Sequence, residues 1–226
     1  TNSSIADASY TVRFFCNDTA GNLNGTETRA FSIDTIRPSV TSLTEAPSDP
    51  ATYSSTARYE FNATVTDINL KNVLIEFDGT NYTASNLLGD IFSLTINNLA
   101  AGTYAYRWYA DDSAGNVNNT ETGTYTINRA ASEVNLTLNG TEGGITIAQG
   151  SSIDLNGTRV TGDSGATLRL YNNGTLINEG TSPIGNTITF NSPGLLNITV
   201  IYVQSQNYSQ SSKTYWVNVT FVPDTT

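Results

Sequence analysis

Residues 104–122 read YAYRWYADDSAGNVNNTET, and residues 10–28 carry a second copy of this segment, YTVRFFCNDTAGNLNGTET, which aligns without a gap. The two copies begin 94 residues apart. A repeat of this length matches an immunoglobulin (Ig)-type β-sandwich, which has about 100 residues. The repeat therefore predicts tandem sandwich modules, and the first copy belongs to a module whose earlier strands are not in this sequence.

The remaining sequence predicts two complete modules. We expect residues 1–37 to hold the C-terminal hairpin of a partial Ig-like module, and residues 38–129 and 130–222 to form one Ig-like β-sandwich each. Residues 223–226 contain the same Asp-Thr pair as the linker after the first module, so we expect a linker to a further module there. The predicted fold class is all-β, with tandem Greek-key sandwiches and an incomplete first module.

Short runs of alternating apolar and polar residues predict the strands. In residues 59–66 every second residue from Tyr59 is apolar, so one face points to the core and the other, with Asn62, to solvent. The predicted strands of the middle module are residues 40–43, 59–66, 72–77, 81–84, 92–96, 103–110 and 123–127. Those of the third module are residues 134–138, 145–148, 153–160, 167–171, 175–179, 187–190, 195–203 and 215–221.

Aromatic residues in the repeated segment predict core positions. Tyr10 and Tyr104 match the tyrosine corner of Greek-key sandwiches, in which the hydroxyl bonds back to the preceding turn. Tyr106 and Trp108 share a strand face with Tyr104, and this face is expected to be core rather than a sugar-binding platform. Tyr109 lies on the outer face, where it could pack against a glycan or a neighbouring subunit.

Charge and composition argue against several kinds of partner. The net charge is −10, and charged residues make up only 13% of the chain, against about 25% in ordinary soluble domains. Because no Lys/Arg cluster offsets the negative charge, we expect no nucleic-acid partner. No apolar run reaches the roughly 20 residues that span a bilayer, so we expect no membrane span within this sequence.

The sequence offers little for catalysis, and we expect no enzyme activity, no catalytic residue and no cofactor. Histidine is absent, which removes Ser-His-Asp and Cys-His chemistry. The adjacent carboxylates of Asp111 and Asp112 would point to opposite faces of a strand. The single cysteine, Cys16, cannot form an internal disulfide, and it aligns with Ala110, so we expect it to be a core residue.

The motif Asp-x-Ala-Gly-Asn occurs in both copies, at residues 18–22 and 112–116. The simpler interpretation is a turn in which glycine takes a positive φ and the Asp and Asn side chains bond local amides. The alternative is a Ca²⁺ site built from oxygen ligands of Asp111, Asp112, Asn116 and Asn118. The turn is favoured, because two carboxylates without a bidentate Glu are few ligands for calcium.

Sequons for N-glycosylation are abundant: the chain has 13 Asn-x-Ser/Thr sites, roughly twice the number that its composition gives by chance. They are Asn2, Asn17, Asn24, Asn62, Asn81, Asn118, Asn135, Asn139, Asn156, Asn173, Asn197, Asn207 and Asn218. This excess predicts an extracellular protein that carries N-linked glycans. Asn62, Asn81 and Asn197 fall on outward strand positions, and Asn118 and Asn139 fall on turns.

The segments YSSTARYEFNATVTD (53–67) and VLIEFDGTNYT (73–83), with the Asp-x-Ala-Gly-Asn motif, resemble the tandem Ig-like repeats of archaeal cell-surface proteins. Residues 206–209, QNYS, resemble part of another module of such arrays. The resemblance covers nearly the whole chain, but it concerns core and turn positions, so it transfers no functional residue. It implies a large glycosylated protein of a surface layer, stalk, adhesin or filament.

Two functions from different classes follow. The first is a structural extracellular protein, a subunit or segment of a glycosylated cell-surface filament or array. The second is an adhesin that binds carbohydrate or protein through exposed loops such as residues 44–56.

The partial first module predicts a partner. A lone hairpin with an apolar face is marginal in water. A second sheet is therefore needed to cover Val12, Phe14 and Cys16 on one strand and Phe31 and Ile33 on the facing strand. That sheet comes from a longer chain or, through strand complementation, from another copy of the protein.

Overall fold

The computed structural model describes residues 5–223, and within this range the chain contains 22 β-strands and no helix. The described residues therefore hold no helix that could cross a membrane. The repeated N-terminal segment forms β1 (Ala8–Arg13), β2 (Cys16–Asn17), β3 (Leu23–Asn24) and β4 (Thr28–Ile33). The next region forms β5 (Ser39–Ala46), β6 (Ala51–Thr52), β7 (Arg58–Thr66), β8 (Leu70–Phe77), β9 (Thr80–Thr83), β10 (Ser85–Leu88), β11 (Ile91–Asn97), β12 (Gly102–Asp112), β13 (Val117–Asn118) and β14 (Thr122–Asn128). The C-terminal region forms β15 (Glu133–Leu138), β16 (Ile145–Ala148), β17 (Ser152–Thr161), β18 (Thr167–Asn172), β19 (Thr175–Thr181), β20 (Ile184–Thr189), β21 (Gly194–Tyr202) and β22 (Ser211–Thr220).

Strands β5–β14 form the middle sandwich, whose strand order is that of an Ig-like Greek key. One sheet runs β10-β11-β7-β5, and the other runs β6-β14-β12-β8-β9, with β13 paired to β12. The first order corresponds to Ig strands D-E-B-A, and the second contains G-F-C with one added strand at each edge, β6 and β9. The predicted fold class is confirmed. The short strands β6, β10 and β13 had no counterpart among the predicted strands.

The core of the middle sandwich is aromatic, as the alternation predicted. Tyr59, Phe61, Ala63 and Val65 of β7 are buried. The ring of Phe61 lies 4.9 Å from Phe77 and 5.4 Å from Tyr106, measured between centroids, so side chains from the two sheets meet there. Trp108 is also buried, which confirms that this face of β12 is core.

Strands β15–β22 form the third sandwich, with sheets β15-β17-β20 and β16-β22-β21-β18-β19. The first order corresponds to Ig strands A-B-E. The second contains G-F-C, with β16 beside G and β19 beside C. The core consists of aliphatic residues plus two aromatic ones, Phe190 and Tyr202. All eight strands expected from the sequence are present, although β20 begins three residues earlier than expected and β22 begins four residues earlier.

The first hairpin, β1–β4, has its two long strands paired antiparallel, from Ala8 opposite Ile33 to Arg13 opposite Thr28. The Tyr10 hydroxyl donates a hydrogen bond of 2.8 Å to the Ala6 carbonyl, which confirms the tyrosine corner in this copy. Tyr104, its counterpart, stacks on Phe77 at a centroid distance of 5.4 Å.

The expectation that Cys16 is a core residue is wrong, because its side chain is exposed. Val12, Phe14 and Phe31 are also open to solvent, with exposed fractions of 39%, 55% and 39%. The aligned Ala110 is buried because the sheet β10-β11-β7-β5 covers it. Among the described residues no such sheet covers the hairpin.

By packing, the chain forms two compact units. The first holds residues up to Asp49 together with Arg58–Ile96 and Tyr104–Tyr125. The second holds Pro50–Ala57, Asn97–Thr103 and the residues from Thr126 onward. The module boundaries at residues 37/38 and 129/130 stay predictions, and residues 224–226 of the expected linker lie outside the described residues.

Candidate functional site

The Asp-x-Ala-Gly-Asn motif forms the same turn in both copies. The Asp112 carboxylate accepts hydrogen bonds of 2.8 Å from the backbone amides of Ala114 and Asn116, and one of 2.7 Å from the Asn116 side chain. Asp18 makes the equivalent three bonds, at 3.0, 2.8 and 2.8 Å. The glycine between has a φ of 93° in one copy and 87° in the other, a conformation that glycine adopts without steric cost. The motif is therefore a turn closed by its aspartate.

The turn holds its aspartate in the charged form. Burial raises the pKa of Asp112, but the hydrogen bonds from Asn116, and then from the backbone amides, outweigh it and leave the pKa below the ordinary value of 3.8. In the exposed copy, the side chain of Asn22 is the main cause that lowers the pKa of Asp18.

Three carboxylates meet at the end of the middle sandwich where the hairpin joins it. Oxygens of Asp34, Asp67 and Asp112 all lie within 4.8 Å of one another, and we call these three residues the aspartate cluster. The Asn69 side chain donates a hydrogen bond of 2.9 Å to the Asp34 carboxylate, and the Asn116 side chain donates one of 3.0 Å to the Asp34 carbonyl oxygen. The turn of the second copy is thereby tied to the chain that follows the first hairpin.

The aspartate cluster differs from the four residues considered for calcium. Asp112 belongs to both sets, and the Asn116 side chain is bound to its carboxylate. The Asp111 carboxylate instead accepts a hydrogen bond of 3.0 Å from the Asn72 side chain and lies 3.8 Å from the Lys71 ammonium. Asn118 donates 2.9 Å to the Pro38 carbonyl. Asp111 and Asn118 are therefore engaged elsewhere.

The chemistry open to the aspartate cluster is that of hard oxygen ligands. Three carboxylates suit Ca²⁺, which takes six to eight oxygens in proteins. Both oxygens of Asp112 already accept amide hydrogens, and Asp67 accepts 2.7 Å from the Asn69 backbone amide. These amide hydrogen bonds occupy carboxylate oxygens that a metal ion would need as ligands. The sequence could not have indicated the cluster, because Asp34 and Asp67 lie in a linker and a strand end with no motif of their own.

The sequon asparagines are spread over all the described surfaces. The exposed ones are Asn17, Asn24, Asn81, Asn139, Asn156, Asn173 and Asn218. The half-buried ones are Asn62, Asn118, Asn135, Asn197 and Asn207. Asn2 lies outside the described residues. The outward placement expected for Asn81 agrees with its exposure to solvent.

Several half-buried sequons use their amide nitrogen, the atom to which a glycan is attached. The Asn135 side chain donates a hydrogen bond of 2.8 Å to the Glu142 carboxylate, and the Asn118 side chain donates one to the Pro38 carbonyl oxygen. The side-chain oxygen of Asn207 accepts a hydrogen bond of 3.0 Å from the Ala101 backbone amide, and its side-chain nitrogen lies 3.4 Å from a carboxylate oxygen of Asp163. At Asn62 the carbonyl oxygen of the side chain is buried without a hydrogen-bond partner. A glycan on Asn118 or Asn135 would compete with the hydrogen bond that the amide nitrogen makes.

No protein-family model matches the chain, and no curated protein is significantly similar to it in sequence. Among solved structures, the fibronectin(III)-like modules of CbhA from Clostridium thermocellum are 14% identical, with 81% of this chain and 95% of that chain covered and a TM-score of 0.34. The titin domains Z1Z2 in complex with telethonin are 16% identical, with 84% and 100% covered and a TM-score of 0.45. An I-band fragment from titin is 15% identical, with 83% and 67% covered and a TM-score of 0.34.

Proposed function

We propose that this chain is a structural extracellular protein, a segment of a glycosylated cell-surface filament or array that assembles through its Ig-like modules. The observation that carries the proposal is the uncovered apolar face of the first hairpin. Val12 and Phe14 align with Tyr106 and Trp108, which are 6% and 1% exposed under the second sheet of their own sandwich. An equivalent sheet from another polypeptide, or from a longer chain, would complete the first module.

The outer surfaces support an extracellular location. Only 13% of the residues are charged, and twelve of the 13 sequons lie within the described residues. Glycans on strand faces would shield sheet edges that could otherwise pair with other chains. The absence of histidine leaves acyl transfer by a Ser-His-Asp triad without its base. These features together favour a structural role over an enzymatic one.

If no other part of the same chain supplies the second sheet, we propose strand complementation as the form of assembly. In the second copy, β8 pairs antiparallel with β12, and Ile75 lies opposite Trp108. The free edge of β1 needs an antiparallel strand in the equivalent place. A neighbouring copy that donated such strands would join subunits head to tail into an open filament.

The experiment compares native material with a charge variant of the uncovered face. Electron micrographs of the native protein should show regular fibres or arrays, and its intact mass should exceed the 24.2 kDa of the bare chain. Phe14→Asp, at a position 55% exposed, should abolish assembly, whereas Val160→Asp, also at a position 55% exposed, should leave it unchanged. A monodisperse native monomer with no assembled form would overturn the proposal.

A further inference from the structure

The outer face of sheet β16-β22-β21-β18-β19 carries an exposed apolar patch between two sequons. Leu195 of β21 is 62% exposed, and Trp216 of β22 is 49% exposed. In the antiparallel ladder Asn197 lies opposite Trp216, and Asn218 lies opposite Leu195. Residues directly opposite one another in a ladder point to the same face. Two sequon asparagines and two apolar side chains therefore occupy alternate corners of one small rectangle, which we call the β21–β22 patch.

The inward neighbours confirm which way the patch faces. Ile198 and Val217, next in sequence to Asn197 and Trp216, are 0% exposed and belong to the core. Because successive strand residues alternate between faces, Asn197 and Trp216 point to solvent. Trp216 is thus an indole that the fold leaves half open, although the other tryptophan, Trp108, is only 1% exposed.

Nothing on the neighbouring strand covers the indole. β16 runs parallel to β22 with Ile145 beside Val217, so the position beside Trp216 is Gly144. A Cβ built on Gly144 would lie 3.0 Å from the Trp216 carbonyl oxygen, and the residue before it, Gly143, also has no side chain. The surface on this side of the indole is therefore bare backbone.

We propose that Asn197 is an occupied glycosylation site and that the first sugar of its glycan packs on the Trp216 indole and the Leu195 side chain. The inference rests on the proposed function, since it requires a glycosylated protein. A pyranose ring has an apolar face of C–H groups and a polar rim, which matches a flat, half-exposed indole. Directly opposite Cβ atoms are about 5 Å apart, so a sugar on the Asn197 amide nitrogen reaches the ring without crossing another residue.

The arrangement favours a tethered glycan over a protein partner. A protein docked on Trp216 and Leu195 would have to cover Asn197 and Asn218, which are the other two corners of the patch. A glycan attached at Asn197 uses the same surface and leaves the edge of the sheet unchanged. The hydroxyl of Thr199, the third residue of the sequon, is already fixed by a 2.8 Å hydrogen bond to Thr214.

Asn156 provides a matched control within the same sandwich. It is an exposed strand sequon on β17, and the residues opposite it are Thr137 on β15 and Gly185 on β20. Neither neighbour offers an aromatic or a large apolar surface. A glycan at Asn156 therefore has the same chemistry without the platform.

The test uses the full chain, secreted from a host that N-glycosylates proteins, with occupancy of each sequon read by peptide mass. Only two tryptophans are present, and Trp108 is buried, so acrylamide quenching of fluorescence reports on Trp216. Asn197→Gln should increase the quenching, whereas Asn156→Gln and Asn218→Gln should not. Asn197→Gln should also lower the folding equilibrium constant about three- to tenfold, as expected for one aromatic contact, and this loss should vanish in the Trp216→Ala background.

The outcomes separate this inference from the proposed function. Equal quenching of the wild type and Asn197→Gln, with Asn197 fully occupied, overturns the packing of the sugar but leaves a glycosylated protein. An empty Asn197 beside an occupied Asn156 also overturns the inference alone. An increase in acrylamide quenching with Asn218→Gln, and none with Asn197→Gln, overturns the assignment of the sugar to Asn197. A chain without any glycan overturns both proposals.

Discussion

At the scale of single residues, two copies of one turn occupy different surroundings. Asp18 and Asp112 make the same three hydrogen bonds, yet Asp112 is 1% exposed and Asp18 is open to solvent. The local sequence therefore determines the hydrogen bonds of the turn, and the surrounding sheets determine how deeply its aspartate is buried. Only the second copy belongs to the aspartate cluster.

The first prediction concerns acid stability. The folded-state pKa of Asp112 is lowered, so its stabilising contribution is present above the ordinary pKa of 3.8 and is lost as the pH falls through the lower folded value. Asp112→Asn should lower the Tm at pH 7, because Asn116 would then face an amide donor instead of an acceptor. The difference from wild type should shrink below pH 3.8, as measured by thermal unfolding at a series of pH values. A difference that stays constant down to pH 2 would contradict the assignment.

A second prediction concerns the charge of the aspartate cluster. Like charges about 4 Å apart repel by roughly 1 kcal/mol in water and more at a protein surface. Asp34→Asn keeps an oxygen to accept the bond from Asn69 and removes one charge. It should therefore raise the Tm in calcium-free buffer, measured by calorimetry. A lower Tm together with a calcium-dependent rise in the wild type would instead identify the cluster as a metal site.

A third prediction concerns a glycine in the core of the third sandwich. A Cβ on Gly157 would lie 2.6 Å from a methyl group of Val200 and 3.4 Å from Ile184. Gly157→Ala should therefore destabilise the protein by about 1–3 kcal/mol through overpacking. Gly165→Ala is the control, because nothing lies within 4 Å of its Cβ, and it should stabilise by about 0.4–1 kcal/mol. Equal midpoints of urea unfolding for the two variants would count against this account.

At the scale of elements, the alternation of apolar residues predicted the long strands, because burial on one face imposes a period of two. Strand β7 agrees with its prediction at every inward position. The strands that were missed, such as β6 and β13, have two residues each, which is too few to show a period. Strand β10 contains Leu87 and Leu88, exposed at 59% and 77%, so its composition reflects an edge and not a buried face.

The error at Cys16 has a similar physical origin. Alignment with Ala110 predicted its place in the strand but not its burial, because burial depends on a covering sheet that residues 5–223 do not provide for the first copy. The aspartate cluster and the β21–β22 patch were also beyond prediction from sequence alone. Both depend on register and packing between segments that are distant in sequence, such as Asn197 with Trp216.

The fourth prediction compares the two copies of the repeated strand. Phe14 and Trp108 occupy the same repeat position, with exposed fractions of 55% and 1%. Trp108→Ala should destabilise by about 3–5 kcal/mol, whereas Phe14→Ala should change stability by no more than about 0.5 kcal/mol in the unassembled chain. Chemical denaturation of dilute protein measures both values. A large effect of Phe14→Ala under these conditions would mean that the hairpin is already covered.

At the scale of the whole molecule, the charges are arranged so that little titrates near neutrality. The chain has 20 acidic residues, 10 Lys and Arg residues and no histidine. The resolved pKa shifts also move away from pH 7: those of Asp18 and Asp112 fall, and burial raises that of Tyr125 to about 12.

The last prediction follows from this distribution of charge. The slope of unfolding free energy with pH equals the difference in bound protons between the unfolded and folded states. Carboxylates titrate near pH 4, and Tyr and Lys near pH 10, so this difference is close to zero between pH 5.5 and 7. The Tm should therefore be constant across that range at fixed ionic strength, as followed by circular dichroism. A control variant such as Tyr125→His, which places an imidazole in the core, should introduce a slope. A wild-type slope of similar size would contradict the prediction, because it would mean that a native group binds protons differently in the folded and unfolded states in this range.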